Sequence, residues 1–161
     1  MPRIVNQLAL RRHRLVNQGV EHSNIHMDWN GPMKLNTEGL SLSGKKVVVV
    51  EDDGTLRTVL VDILQELGAD CDAFTTAEDA LIHLMGINGE CSFIVADHGV
   101  PGSIKGMEFI SMVHEKWPGL PAILTSGYQL DASGVTPPVS YLFKPWSLEE
   151  LTGAIRSSLK V

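Results

Sequence analysis

The chain has 161 residues, 43% hydrophobic and 20% charged, which is enough apolar material for one core of ordinary domain size and argues against global disorder. Thirteen Lys and Arg against 19 Asp and Glu leave a formal charge of −6, so a nucleic-acid phosphate backbone, which needs a basic face, is disfavoured as the main partner. Cys71 and Cys91, the two cysteines, are too few for a disulfide framework, no apolar run reaches the roughly 18 residues of a membrane span, and Met1-Pro2-Arg3 leads into no secretory segment. The expectation is a globular cytoplasmic protein with no direct nucleic-acid contact and no membrane span.

Charge divides the chain. Residues 1–44 carry five basic side chains and three acidic ones, whereas 45–161 carry eight and sixteen. This predicts an N-terminal extension over 1–44 and one domain over 45–161. The extension reads as a single amphipathic helix, Ile4 to Val16, then a linker containing Asn30-Gly31-Pro32 and Ser41-Leu42-Ser43-Gly44. His22 and His26 stand at metal-like spacing without further ligands nearby, and are expected to belong to a polar tail that holds no metal.

From Lys45 apolar runs alternate with helical periodicity. Val47-Val48-Val49-Val50 predicts a strand buried on both faces of a parallel sheet. Leu56, Val59, Leu60, Ile63, Leu64 and Leu67 then form a stripe at steps of three and four that stops at Gly68, a natural residue just past a helix end. A second strand is expected over Cys71 to Thr75, a second helix over Ala77 to Met85, and a third strand over Ser92 to Ala96. After a glycine-rich loop come a helix from about Met107 to Trp117, a fourth strand from Pro121 to Ser126 and a fifth from Val139 to Phe143. A last helix, Ser147 to Leu159, opens on the capping-box pair Ser147 and Glu150. Short connections between alternating strands and helices imply right-handed crossovers and a parallel sheet covered on both faces. Cys71 and Cys91 read as small buried hydrophobes.

In such sheets sites form at the carboxyl ends of the strands, and here those ends are polar. The first strand runs into Glu51-Asp52-Asp53, the third into Asp97, the fourth into Thr125-Ser126 and the fifth into Lys144-Pro145. Crowded carboxylates raise one another's pKa unless a cation neutralises them, and Mg²⁺ suits a cluster of oxygen donors left with room for water and phosphate. With the metal present a carboxylate can attack a phosphoryl group, while an ammonium and a hydroxyl hold the other oxygens.

The ordered set resembles the receiver domain of two-component response regulators. It comprises Glu51-Asp52-Asp53-Gly54-Thr55-Leu56-Arg57, Asp97 with Pro101 and Gly106, Ser126-Gly127, and Tyr141-Leu142-Phe143-Lys144-Pro145. The resemblance covers about 45–161 and implies a flavodoxin-like doubly wound α/β fold with a five-stranded parallel sheet in the order 2-1-3-4-5. It also implies that Asp97 is the phosphoacceptor, that Mg²⁺ is held by Asp52, Asp97 and the backbone carbonyl of Gly99, and that Glu51 acts on the metal through water. Ser126 takes the part of the switch hydroxyl, Lys144 that of the phosphate-binding ammonium and Tyr141 that of the aromatic that changes rotamer. A cis peptide at Lys144-Pro145 is implied as well. Two alternatives stay open: Asp52 and Asp53 as the acidic pair, or as simple caps of the first helix, and Thr125 as the hydroxyl. Tyr141 also reads as an ordinary half-buried strand residue.

The sequence departs from the family pattern in two places. Tyr128 to Pro138 is short and holds Gly134, Pro137 and Pro138, so the fourth helix, part of the family's dimerisation and output face, is expected to be one turn or missing. His98 and Gly99 replace the usual residues beside Asp97, and Gly106 arrives one residue late. The implied function is phosphoryl acceptance from a histidine kinase or phosphotransfer protein, slow self-hydrolysis rather than enzymatic turnover, and output through a downstream protein, since no output module follows Val161. Two competing readings are a phosphorylation-independent pseudo-receiver scaffold and an aspartyl phosphatase. Phosphatases of that kind carry a second acid two residues after the nucleophile, where this chain has Gly99.

Overall fold

The computed structural model describes residues 37, 39–131 and 138–160. The helix expected over 4–16, His22 and His26 lie outside them, as do residues 132–137, most of the stretch in which the fourth helix is expected to be one turn or missing.

Among the described residues nine elements follow in order: β1 (Lys46–Val50), α1 (Gly54–Glu66), β2 (Asp70–Phe74), α2 (Ala77–Gly86), β3 (Phe93–Asp97), α3 (Gly106–Lys116), β4 (Ala122–Ser126), β5 (Val139–Phe143) and α4 (Leu148–Leu159). The five strands form one all-parallel sheet in the order β2-β1-β3-β4-β5. This is the expected flavodoxin-like arrangement.

The four valines of β1 alternate between two cores, which explains why the run has no polar member. Val47 and Val49 pack with Leu56, Leu60, Ile63 and Leu64 of α1 and Leu151 and Ile155 of α4. Val48 and Val50 pack with Ala77, Ala80 and Leu84 of α2 and Phe109, Ile110 and Val113 of α3. Each Val, Leu, Ile or Phe side chain among them contributes about 1.5–3 kcal/mol on removal from water, before conformational entropy is counted. Burying both faces leaves only the strand ends for polar chemistry.

Helix ends follow local chemistry. Asp53 Oδ1 accepts from Leu56 N–H at 2.8 Å, and Thr76 Oγ1 accepts from Asp79 N–H at 3.2 Å. At α4 the capping box is complete: Ser147 Oγ accepts from Glu150 N–H, and Glu150 Oε2 accepts from Ser147 N–H. Gly68, at φ +101°, turns the chain after α1, and a Cβ there would stand 3.0 Å from the backbone nitrogen of Ser43. At the start of α3 the capping group comes from elsewhere. Lys105 makes no side-chain cap, and Met107 N–H donates instead to Nδ1 of His98 at 3.3 Å.

Several boundaries move by one residue, with visible causes. β2 begins at Asp70 because its N–H donates to Lys45 O at 2.9 Å, opening the ladder early. β3 runs on to Asp97, which stands opposite Thr125 in the register. Asp97 is therefore the last residue of the strand rather than the first of the loop. Leu40 and Leu42, in the stretch read as linker, are buried in the α1 and α4 core, and Leu42 N–H donates to Leu67 O at 2.7 Å. Cys71 and Cys91 are free and only half-buried, not wholly enclosed.

Candidate functional site

The parallel register delivers side chains from three strands to one place at the carboxyl edge of the sheet. β1 and β3 are neighbours, so Glu51, one residue past β1, and Asp97, the last of β3, come together by backbone pairing alone. β5 lies beyond β4, and its continuation, tied by Lys144 N–H donating to Ser126 O at 2.8 Å, carries Lys144. The Lys144–Pro145 peptide is cis.

The lysine spans the remaining gap. Lys144 Nζ donates to Glu51 Oε2 at 2.9 Å and lies 3.0 Å from Asp97 Oδ1. Glu51 and Asp97 are nearly inaccessible, at 2% and 6% exposure. Burial pushes the Glu51 carboxyl above its ordinary value and the charge of Asp97 pushes the same way, against the hydrogen bond from Lys144. Burial pulls the Lys144 ammonium down, but its hydrogen bonds to both carboxylates and their charges outweigh this and hold its pKa above that of an ordinary lysine. One ammonium thus serves two buried acids.

A third acid stands beside them. Oxygens of Glu51, Asp52 and Asp97 lie within 4.8 Å of one another. Asp52 is exposed at the rim, while the other two form the floor. Three carboxylates against one lysine leave excess negative charge on an all-oxygen donor set, and that chemistry fits a hard divalent cation such as Mg²⁺. The neighbouring Asp53 side chain is engaged in capping α1, which leaves Glu51 and Asp52 as the acids of this triplet within the cluster.

The loops are held by backbone contacts. Arg57 NH1 donates to Glu51 O at 2.9 Å and Asp52 O at 3.4 Å, and Asp53 N–H donates to Glu51 Oε1 at 3.1 Å. On the β3 side, a Cβ at Gly99 would stand 3.3 Å from Asp97 Oδ2, so that flank of the carboxylate stays open. A Cβ at Gly106 would collide with the Asp97 carbonyl oxygen, so only glycine lets α3 start this close to the strand end.

The two hydroxyls divide their partners. Thr125 Oγ1 donates to Asp97 Oδ1 at 3.3 Å, whereas Ser126 Oγ donates to Tyr128 O at 2.7 Å and accepts from Tyr128 N–H at 3.2 Å. Tyr141 stands opposite Leu124 and packs into the α2 and α3 core. Its hydroxyl is occluded and has no hydrogen-bond partner among the described residues, and burial pushes its pKa up.

Residue reasoning from the sequence reached every member of this cluster. It missed two contacts around it: the hold of Arg57 on the acidic loop, although Arg57 marked the motif, and a bond from Glu78 to the β3–α3 loop.

Comparison with known proteins agrees with the geometry. A family model described as response regulator receiver domain matches residues 47–156. The transcriptional regulatory protein BasR of Escherichia coli is 36% identical over 119 residues, covering 71% of this chain and 52% of BasR. The response regulator protein FleR of Pseudomonas aeruginosa is 34% identical over 83 residues, covering 52% of this chain and 17% of FleR. The chain thus spans about half the length of the first relative and less of the second. Among solved structures, a response regulator receiver protein from Sinorhizobium medicae superposes with a TM-score of 0.68 at 21% identity, covering 75% of this chain and 98% of that one. A CheY-like receiver from Methanospirillum hungatei gives 0.65 at 22% identity, covering 72% and 94%.

Proposed function

The chain belongs to the response regulator receiver family, and from that premise we propose that it is a cytoplasmic phosphoacceptor module in which Asp97 takes a phosphoryl group from the phosphohistidine of a histidine kinase or phosphotransfer protein. The observation that carries this reading is Lys144 Nζ, 2.9 Å from Glu51 and 3.0 Å from Asp97, a cation poised on the reacting carboxylate. An oxygen of Asp97 bonds to phosphorus as the donor's N–P bond breaks. The electron pair returns to the imidazole nitrogen, which takes a proton from water. Lys144, already beside Oδ1, moves to an oxygen of the new group, and the open flank at Gly99 leaves space for that group. Asp52, Asp97 and the Gly99 carbonyl would hold Mg²⁺, with Glu51 acting through water, and the bound ion would supply positive charge to offset that of the phosphoryl oxygens. Hydrolysis removes the acyl phosphate: water attacks phosphorus, the bond between phosphorus and the Asp97 oxygen breaks, inorganic phosphate leaves and Asp97 is again a carboxylate.

The signal follows from the altered charge. Ser126 Oγ leaves Tyr128 for a phosphoryl oxygen, and Tyr141, whose hydroxyl lacks a partner among the described residues, repacks. An unsatisfied buried hydroxyl costs about 1–3 kcal/mol, which places the alternative rotamer within reach of a local switch. Output passes to a downstream protein by contact.

Incubation of the full chain with acetyl phosphate, with and without Mg²⁺, followed by intact mass, tests the reading. It expects one phosphoryl adduct that requires Mg²⁺ and is lost in Asp97→Asn. No adduct under any condition would leave a binding scaffold, and rapid repeated consumption of the donor would make the protein an enzyme.

A further inference from the structure

The loop between β3 and α3, residues 98–105, is tied mostly to itself and to the helix it leads into. Gly106 N–H donates to His98 O at 3.2 Å, and Lys105 Nζ reaches back to Val100 O at 2.8 Å. Two ties come from other elements: His98 N–H donates to Thr125 O of β4 at 2.9 Å, and the other tie is on α2. Glu78, in the first turn of α2, accepts two consecutive backbone donors on Oε1: Ser103 N–H at 2.7 Å and Ile104 N–H at 3.1 Å. A carboxylate receiving two N–H groups makes charge-assisted bonds, about twice as strong as neutral ones.

The loop is shaped for this contact. Gly102 sits at φ +99°, and a Cβ there would stand 2.7 Å from both carboxylate oxygens of Glu78. Glycine is thus required twice at one position, for its backbone angle and for the approach of the carboxylate. Glu78 Oε2 is occluded and has no hydrogen-bond partner among the described residues. The near side of the same loop faces Asp97: a Cβ at Gly106 would collide with its carbonyl oxygen, and one at Gly99 would stand 3.3 Å from its Oδ2.

We propose that Glu78 is a positioning residue: by fastening the far side of the β3–α3 loop to α2 it fixes the Gly99 backbone beside Asp97, in the one arrangement that serves the cation and the phosphoryl group. The inference rests on the phosphoacceptor reading. The contact joins positions 25 residues apart in sequence, Glu78 on α2 and Ser103 in the loop.

The test uses the full chain as Glu78→Ala and Glu78→Gln, read by amide hydrogen exchange and by calorimetric titration with Mg²⁺ alone. In Glu78→Ala the Ser103 and Ile104 amides should exchange about tenfold to a hundredfold faster, as expected for losing charge-assisted hydrogen bonds. The Val95 and Ala96 amides of β3 should keep their protection. Mg²⁺ affinity should fall about tenfold, the low end of the cost of removing a group that orients a metal site. Glu78→Gln, which keeps the shape and an acceptor oxygen, should recover most of that affinity. A wild-type chain that binds Mg²⁺ while Glu78→Ala binds it equally well would overturn this inference alone. A wild-type chain that binds no Mg²⁺ would overturn the phosphoacceptor reading and this inference with it.

Discussion

Replacing Lys144 by methionine keeps an apolar stem of similar length and removes the ammonium between Glu51 and Asp97. The side chains of those acids are 3% and 8% exposed, and that of Lys144 is 18%. Breaking a buried ion pair by deleting one partner costs about 3–5 kcal/mol, because the other charge stays buried and uncompensated. The partial exposure of Lys144 puts this site at the low end, about 3 kcal/mol, or a fall in melting temperature of about 10 °C for a domain of this size. The assay is urea or thermal unfolding in chelator at neutral pH, repeated with Mg²⁺. Mg²⁺ should stabilise Lys144→Met more than the wild type, because the wild-type ammonium occupies the same carboxylates. The pH dependence has a definite sign. Burial sets the folded pKa of Glu51 above its ordinary value, so the folded chain binds that proton more tightly than the unfolded chain. Stability therefore falls as pH rises from the ordinary carboxylate value through the raised one, and the fall should be larger in the variant. A variant as stable as wild type in chelator would refute the view that the ammonium neutralises two buried acids.

Other outcomes follow from the packing. Leu42→Ala should destabilise the domain by about 2–5 kcal/mol in urea titrations, since Leu42 is fully enclosed between α1 and the start of β1; a neutral result would return residues 40–44 to the status of linker. Burial pushes the Cys71 and Cys91 thiols up to about 11, so both should react slowly with iodoacetamide at pH about 8, where even an unperturbed thiol is only partly ionised, and speed up on unfolding. By the same shifts, stability present below the ordinary thiol value should be lost as pH climbs through about 11.

The sheet was readable because its causes are local. Four consecutive valines have no face to offer water, so β1 is central, and the stripe from Leu56 to Leu67 ends at a glycine that must adopt positive φ. The acids and the lysine were readable because a parallel sheet sends every strand end to one edge. Less visible was which hydroxyl faces Asp97. Thr125 and Ser126 are adjacent and both polar, and the choice depends on a side-chain rotamer: the register puts Thr125 opposite Asp97, while Ser126 closes a turn on Tyr128. The burial of Leu42 was hidden by its polar neighbours Ser41, Ser43 and Gly44, since a single apolar residue in a polar stretch carries no period. The grip of Glu78 depends on the path of a loop 25 residues away, and no local pattern encodes that. Asp97 closes β3 rather than following it because the ladder to β4 extends one residue past the last apolar side chain.

The most direct test of the central claim is to identify the atom that carries the phosphoryl group. After a phosphodonor and Mg²⁺, reduction with borohydride converts an aspartyl phosphate to homoserine, and peptide mass spectrometry locates it. The account predicts homoserine at position 97 alone, absent when Mg²⁺ is chelated. Homoserine at 52 or 53, or phosphate retained on Ser126 or Thr125 instead, would contradict it.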